Sequence, residues 1–419
     1  MMQTASCGTA GRKRMYRLGF DIGGTHIACG IINDETFEIV GKDACAFFRG
    51  QSAEKTAQCM AELAKNTAAR CGTDFQQIET VGVCIPGSID AQNGTVVNAY
   101  NLGFHNVPFR QIVKETFNKP AAMLNDADAA ALAEHRLGVL RGTRNSLLVT
   151  LGTGFGGGII LNGEIFCGGR GFGVELGHIQ MDMHGEKCTC GRRGCIETLC
   201  AASRLTRDAL RLAEKKKQAG DKLGETLHDA GTLIAAARAG DIECTEAWNR
   251  YLDDLSNALV SLINILDPEI IAVGGGVSGA GDFLIVPLNE RVAKGSFFKK
   301  PTPVVKALLG NDAGLAGAAL FGAETAPTGE PLIEKQTNLI QRRKTYVNHG
   351  ICICAGRNRH GSGQQANGRN HGGEARERCS GHGNTHSEPN GPAGAAGVPC
   401  GNDHIPIGQR TKNNAAQQG

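Results

Sequence analysis

Hydrophobic and polar positions follow two rhythms along the chain. Short runs rich in Leu, Ile, Val and Phe read as strands, whereas apolar residues recurring every three to four positions read as helices. Residues 18–30 read as two strands joined by a glycine turn, 53–70 as an amphipathic helix and 80–85 as a buried strand. Further along, 127–137 reads as a helix, 146–161 as a β-hairpin around glycines, 247–266 as a long helix and 270–273 as a strand entering Gly274-Gly275-Gly276. An Ala/Gly/Leu-rich helix over 315–323 closes the patterned region. No tandem repeat of fixed period is present. Two β-β-α-like halves, each opening on a glycine-rich hairpin, fit a duplicated domain with its hinge close to Asn125.

The two ends lack this pattern. Residues 1–14 are small, polar and basic and read as a disordered extension, with Met15 as a candidate start. After Ile340 there is no Leu, Phe, Met or Trp, and six of the twelve histidines gather there among Gly, Asn, Gln and Arg. Such a segment cannot bury enough surface to fold, so 330–419 reads as a low-complexity, disordered tail. Out-of-frame sequence and a metal-binding tail using Cys352 and Cys354 are the alternatives.

A chain of 419 residues has room for two lobes with sizeable cores. Its 44 basic and 41 acidic residues leave a formal net charge of +3, which creates no general field for a polyanion. The expected partner is therefore a small molecule, with no nucleic acid and no membrane. No apolar stretch approaches the roughly 20 residues of a membrane span, and residues 1–20 lack a signal-peptide core, so a soluble, cytoplasmic protein is expected. The 16 cysteines are scattered, apart from three at metal-ligand spacing, and most of the rest read as buried thiols.

The 59 glycines matter through their placement. Asp21-Ile22-Gly23-Gly24-Thr25 lies between two apolar runs, where the glycines supply a hairpin turn whose amides face a phosphate and Thr25 offers a hydroxyl. Asp21 beside such a pocket is repulsive unless a cation or water intervenes; a plain glycine turn is the alternative. A second loop, Gly152-Thr153-Gly154-Phe155-Gly156-Gly157-Gly158, superficially resembles a dinucleotide fingerprint, but a strand and turn follow it instead of a helix, which argues against a Rossmann site. The third cluster, including Gly275 and Gly276, follows a strand and suits the flat approach of a nucleoside.

Asn125-Asp126 stands between a strand-like stretch and a helix. Asp126 suits a base that accepts the proton of an attacking hydroxyl, and equally suits a helix N-cap. Asp128 reads as a cap or a solvent-facing residue. Glu175 and His178, three apart, suit a hydroxyl-rich ligand or a metal. Ten residues after His178, Cys188, Cys190 and Cys195 form C-x-C-x4-C, ahead of Glu197. Together with His178 these thiolates satisfy tetrahedral zinc and leave no position for water, so the zinc would be structural. Cys200 reads as a helix thiol.

Taken in order, Asp21 to Thr25, Ile85-Pro86-Gly87, Asn125-Asp126, Leu151 to Gly154, Glu175 with Gly177-His178, the cysteine knot with Glu197, and Gly274 to Gly276 resemble the ROK family (repressor, open reading frame, kinase). The likeness runs from about Leu18 to Ala323. It implies a two-lobed actin-like ATPase (ribonuclease H-like) sugar kinase fold with a structural zinc knot. The lobes would span 15–125 and 126–310, with a helix over 311–325 returning to the first. It further implies Asp126 as the base, with Gly87, Asn125, Asp126, Glu175, His178 and Glu197 around the sugar. Asp21, Gly23, Gly24, Thr25, Gly152, Thr153 and Gly154 would surround the ATP phosphates and Mg2+, with Gly275 and Gly276 near the adenosine. Zn2+ would be held by His178, Cys188, Cys190 and Cys195. Such kinases are often homodimers or homotetramers.

Family repressors carry a helix-turn-helix domain ahead of the sugar-binding part, whereas only twenty residues precede Asp21 here. The expected activity is therefore transfer of the γ-phosphoryl group of ATP to a hexose. Residues 85–90 and 101–108 resemble the branch acting on glucose. His26, where many of that branch carry Lys, looks more like allose kinases. N-acetylmannosamine, allose and fructose are the alternative substrates, and a non-catalytic sugar sensor is the remote one.

Overall fold

The computed structural model describes residues 14–325. The readings of the N-terminal extension, Arg14 excepted, and of the tail lie outside the described residues.

The first half runs β1 (Tyr16–Ile22), β2 (His26–Asn33), β3 (Ile39–Ala46), α1 (Ala53–Arg70) and β4 (Ile78–Ile85). A small meander of β5 (Ser88–Asp90), β6 (Thr95–Ala99) and β7 (Phe104–Val107) then leads to α2 (Phe109–Phe117), β8 (Ala121–Asn125) and α3 (Asp126–Leu137). The second half contains β9 (Ser146–Leu151), β10 (Phe155–Leu161), β11 (Glu164–Ile165), α4 (Ile196–Cys200), α5 (Ala202–Gln218), α6 (Ala230–Arg238) and α7 (Ile242–Leu266). It ends with β12 (Ile270–Gly274), α8 (Asp282–Gly295), β13 (Val304–Lys306) and α9 (Ala313–Thr325).

Two five-stranded sheets share one topology. Their orders are β3-β2-β1-β4-β8 and β11-β10-β9-β12-β13. In each, an antiparallel hairpin is extended by two parallel strands, β4 and β8 in the first, β12 and β13 in the second. The sheets therefore repeat the duplicated pattern read from the two glycine hairpins.

Local chemistry accounts for the well-marked elements. α1 begins where the Ser52 hydroxyl accepts the Lys55 amide and carries Arg70 in its last turn. Its face of Ala57, Met60, Ala64 and Ala68 is buried against the first sheet. In the second half, α7 brings Trp248 against Phe283, with ring centroids 5.5 Å apart, inside a core shared with β9, β12 and α5.

α9 packs on β1, β4 and α3, and the contact is made at glycines. A methyl group at Gly82 would stand 1.7 Å from the Ala318 carbonyl oxygen, and one at Gly317 would stand 1.8 Å from that of Ala129. Backbone touches backbone there, so no side chain can rotate aside. Gly82→Ala should cost about 3 kcal/mol of stability, seen as a lower urea midpoint at unchanged m. An unchanged midpoint would remove this contact from the determinants of the fold.

Among the described residues every cysteine is a free thiol. Outside the knot, Cys29, Cys84, Cys167, Cys200 and Cys244 are buried as expected, whereas Cys45, Cys59 and Cys71 are half-buried.

Candidate active site

A cavity of about 670 Å³ runs from the end of β1 to the starts of α3 and α9 and the loop after β12. Asp21, Asp126, Gly275 and Gly276, predicted from sequence, line it. Its volume is that of a small-molecule site.

Asp21 stands one residue before the end of β1, paired with Ala28 of β2 and Cys84 of β4. Burial pushes its carboxyl up, and the neighbouring Asp126 pushes it further, while the Cys84 thiol and His26 ease it downward. A methyl at Gly314 would lie 2.7 Å from Asp21 Oδ2, so the start of α9 closes over this carboxyl only because position 314 is glycine. The hairpin turn after Asp21 is fixed by the Gly23 amide donating to the His26 carbonyl at 2.9 Å. Gly23, Gly24 and Thr25 are half-exposed or exposed on that turn, and the Thr25 hydroxyl lies 3.2 Å from His26 Nδ1.

The second and third glycine loops abut. Gly275 adopts φ +79°, and a Cβ there would meet the Leu151 backbone at 2.6 Å. The Gly152 amide donates to the Gly154 carbonyl, and the Gly152 carbonyl accepts the Ala202 amide at the start of α5. Gly152, Thr153 and Gly154 thus sit at the edge of the cavity's β9 and β12 side without lining it.

Asp126 is the first residue of α3. The cap is its neighbour, since Asn125 Oδ1 accepts the amides of Ala127 and Asp128. Asn125 Nδ2 donates to the Gly87 carbonyl at 3.1 Å, pinning a glycine at φ +103°. The capping alternative for Asp126 is thereby taken by Asn125, which leaves Asp126 Oδ2 free of that duty. Desolvation pushes the Asp126 carboxyl up, against the Ala127 amide that draws it down.

The reading of Asp128 as a cap or solvent-facing residue is overturned. Its carboxyl is buried, because α3 is covered by α9, by β10 and by the turn at 171–173.

Glu175, His178 and Glu197 do not line the large cavity; they gather around the cysteines. Burial raises Glu175, with Asp126 and Glu197 adding to the shift and His178 opposing it. Glu197 Oε2 accepts the Phe155 amide at 3.3 Å, and its Oε1 accepts the Thr189 hydroxyl at 3.2 Å. One carboxylate therefore ties the knot to the second glycine loop.

Ligand atoms of His178, Cys188, Cys190 and Cys195 all lie within 4.8 Å of one another. His178 Nδ1 is 3.5 Å from Cys188 Sγ, and Cys190 Sγ is 3.6 Å from Cys195 Sγ. Zinc bonds of about 2.3 Å to sulfur and about 2.0 Å to nitrogen give tetrahedral edges of roughly 3.5 to 3.8 Å. The four donors fit that metal. With Nδ1 turned toward the sulfurs, Nε2 on the opposite edge of the ring is left for another partner.

Some cavity residues carry no sequence signal. Lys306 and Asn311 line it alongside Thr150 and Ser278. Lys306 arrives there through the parallel register that sets Val273 opposite it, a pairing made across α8.

The profile of the ROK family matches residues 17–324. The chain belongs to the ROK family. A glucokinase of Thermotoga maritima is 35% identical over 313 residues, covering 73% of this chain and 96% of its own length. The ROK hexokinase of Thermus thermophilus superposes with a TM-score of 0.62 at 32% identity, over 74% of this chain and 98% of that one. A ROK family glucokinase from Streptomyces griseus, solved with glucose and AMPPNP, gives a TM-score of 0.64 at 30% identity, over 74% and 99% of the two chains. The two matched sheets, joined through α3 and α9, are thus the ROK sugar kinase fold, and the first two glycine loops occupy equivalent places as the β1–β2 and β9–β10 hairpin turns, while the third follows β12. Among the described residues no helix is long and apolar enough to cross a membrane.

Proposed function

We propose that this ROK chain is an ATP-dependent glucose kinase producing glucose 6-phosphate and ADP. The observation that carries the reading is Asp126, a solvent-reachable carboxyl at the first turn of α3, which lines the large cavity and is electrostatically coupled to Glu175 beside the knot. Phosphoryl transfer asks a protein chiefly for positioning, charge stabilisation and a proton acceptor.

In this reading Asp126 accepts the proton of the sugar hydroxyl as that oxygen bonds to the γ-phosphorus and the bond to the β-phosphate oxygen breaks. Asn125 holds α3 against the Gly87 turn, so the base and the sugar face stay in register. Glu175, His178 Nε2 and Glu197 read the sugar hydroxyls. A buried acceptor left unmatched by the wrong epimer gives strong discrimination. Gly23, Gly24, Thr25, Gly152, Thr153 and Gly154 surround the phosphates, with Gly275 and Gly276 against the nucleoside. Magnesium, when bound, would neutralise phosphate charge; Asp21 would hold it as a carboxylate, the cation offsetting the burial and Asp126 repulsion that raise this group. Zinc, when bound to His178, Cys188, Cys190 and Cys195, fixes the segment carrying His178 and Glu197. Residues 15–125 and 126–310 act as lobes of an actin-like fold closing on the cleft, a division supported by α9 packing back onto β1 and β4.

The test is ADP release with Mg-ATP across glucose, N-acetylmannosamine, N-acetylglucosamine, allose, mannose and fructose. Highest kcat/KM on glucose is expected. Preference for another sugar would retain the kinase and replace its substrate, and no turnover on any sugar would overturn the reading.

A further inference from the structure

Asp128 lies two positions after Asp126 on α3, and the kinase mechanism makes no use of it. It is 2% exposed, and its Oδ1 is buried without a hydrogen-bond partner. An orphaned carboxyl oxygen in a native interior needs a physical explanation. Asp128 lines a small, half-open niche of about 10 Å³, bounded by Ile89 and Leu124 of the first half, Cys167 and the turn at 171–173. That is space for about a single water.

The turn is the cover of the niche. The Gly173 amide donates to the Cys167 carbonyl at 2.9 Å, and the Ala91 amide donates to the Gly171 carbonyl at 3.2 Å. Gly173 has φ +92°, and a Cβ there would be 3.8 Å from Asp128 Oδ2. Two residues later the chain reaches Glu175. Asp128 therefore stands between the helix turn that carries the base and the turn that delivers a sugar-reading carboxylate.

The groups facing Asp128 from the elements around it are Asp126 on its own helix, Glu175 beyond the turn and the Cys167 thiol. None of these is a cation. Burial and the two carboxylates push the Asp128 carboxyl well above its ordinary range. A bound proton would give this carboxyl a donor toward the turn, which its Oδ2 approaches, directly or through a water in the niche. We propose that Asp128 is a positioning residue, a proton-bearing carboxyl that latches the 171–173 turn to α3 and holds Glu175 in register with Asp126. The inference rests on the proposed kinase for its catalytic consequence, but not for the latch itself.

Two arms test it, and the second fails independently of the kinase assignment. In the first, Asp128→Asn, an isostere that keeps a neutral donor, should hold sugar KM and kcat within about threefold of the parent, while Asp128→Ala should raise sugar KM by about tenfold or more with ATP KM little changed. Equal impairment in both variants would mean that the negative charge is what matters, and no impairment in Asp128→Ala would remove the latch. The second arm compares melting temperatures of the parent and Asp128→Asn from pH 5 to 9, and needs no turnover. An acid whose folded pKa is raised contributes stability below its unfolded pKa of about 3.9 and loses it as pH rises through the folded value. The advantage of Asp128→Asn over the parent should therefore grow with pH, and a constant difference would overturn the protonated latch whether or not Asp128→Ala folds.

Discussion

Asp126→Asn is expected to lower kcat by about 10³-fold, within the range that a positioned general base contributes. The amide occupies the same volume and keeps an oxygen for the Ala127 amide, which the carboxylate accepts at 2.9 Å in the parent. What it loses is the capacity to take a proton. Glucose binding, measured by calorimetry with a non-hydrolysable ATP analogue, should stay within several-fold. Normal turnover in this variant would remove Asp126 as the base.

The pH dependence follows from the same carboxyl. Because desolvation within the cavity raises Asp126, it binds a proton at a pH where an aspartate in open water is already ionised. Only the ionised form accepts the hydroxyl proton, so kcat/KM should be full above the raised pKa and fall as pH drops through it. The residual rate of Asp126→Asn should lack that acid limb. For stability the sign is opposite, since a raised acid favours the folded state at low pH and disfavours it once ionised. Asp126→Asn should accordingly melt no lower than the parent at pH 7.5, which separates lost chemistry from lost fold. The raised carboxyls of Asp21 and Glu175, each repelled by Asp126, are a stability cost retained at the functional site.

Cys190→Ser should abolish the zinc binding proposed for the knot and reduce sugar affinity by on the order of tenfold or more. Cys190 is the exposed ligand of the four, so its substitution leaves the buried packing around Cys188 and Cys195 in place. The Arg192 amide draws the Cys190 thiol down, toward the thiolate a metal needs. Cys195, by contrast, is pushed up to about 12 by burial and by its neighbouring thiols, so without metal it keeps its proton, and coordination displaces it. Metal content by mass spectrometry should drop to near zero in the variant, and binding to the metal-free parent should release protons. Sugar affinity should follow, because Glu197 reaches the second glycine loop through Phe155 from a helix that begins at the knot's last cysteine. Unchanged metal content would sink the knot.

The site was legible where its chemistry is local. C-x-C-x4-C with an upstream histidine is a short-range spacing, and the ligand distances agree with it. The hairpin around Gly23 and Gly24 and the one around Gly152 and Gly154 are each set by adjacent residues. Asp126 could not be separated from a cap by sequence, because one position of helix boundary decides the matter and Asn125 takes the role. Asp128 was misread for a related reason: its exposure depends on α9, on β10 and on a turn more than forty residues away, none of which a helix-start pattern contains.

By itself the amino-acid sequence determined the periodic elements, the duplicated glycine hairpins, the cysteine knot and the family likeness, since each rests on propensities and spacings within a few turns of chain. Tertiary structure alone decided which of these groups share a cavity. Lys306 and Asn311 enter it through the long-range parallel pairing of β12 and β13 and the return of α9 across Gly82. It also decided the charge state pressed on Asp21, Asp126, Asp128 and Glu175, because desolvation and mutual repulsion arise only when folding brings these chain-distant carboxyls near one another.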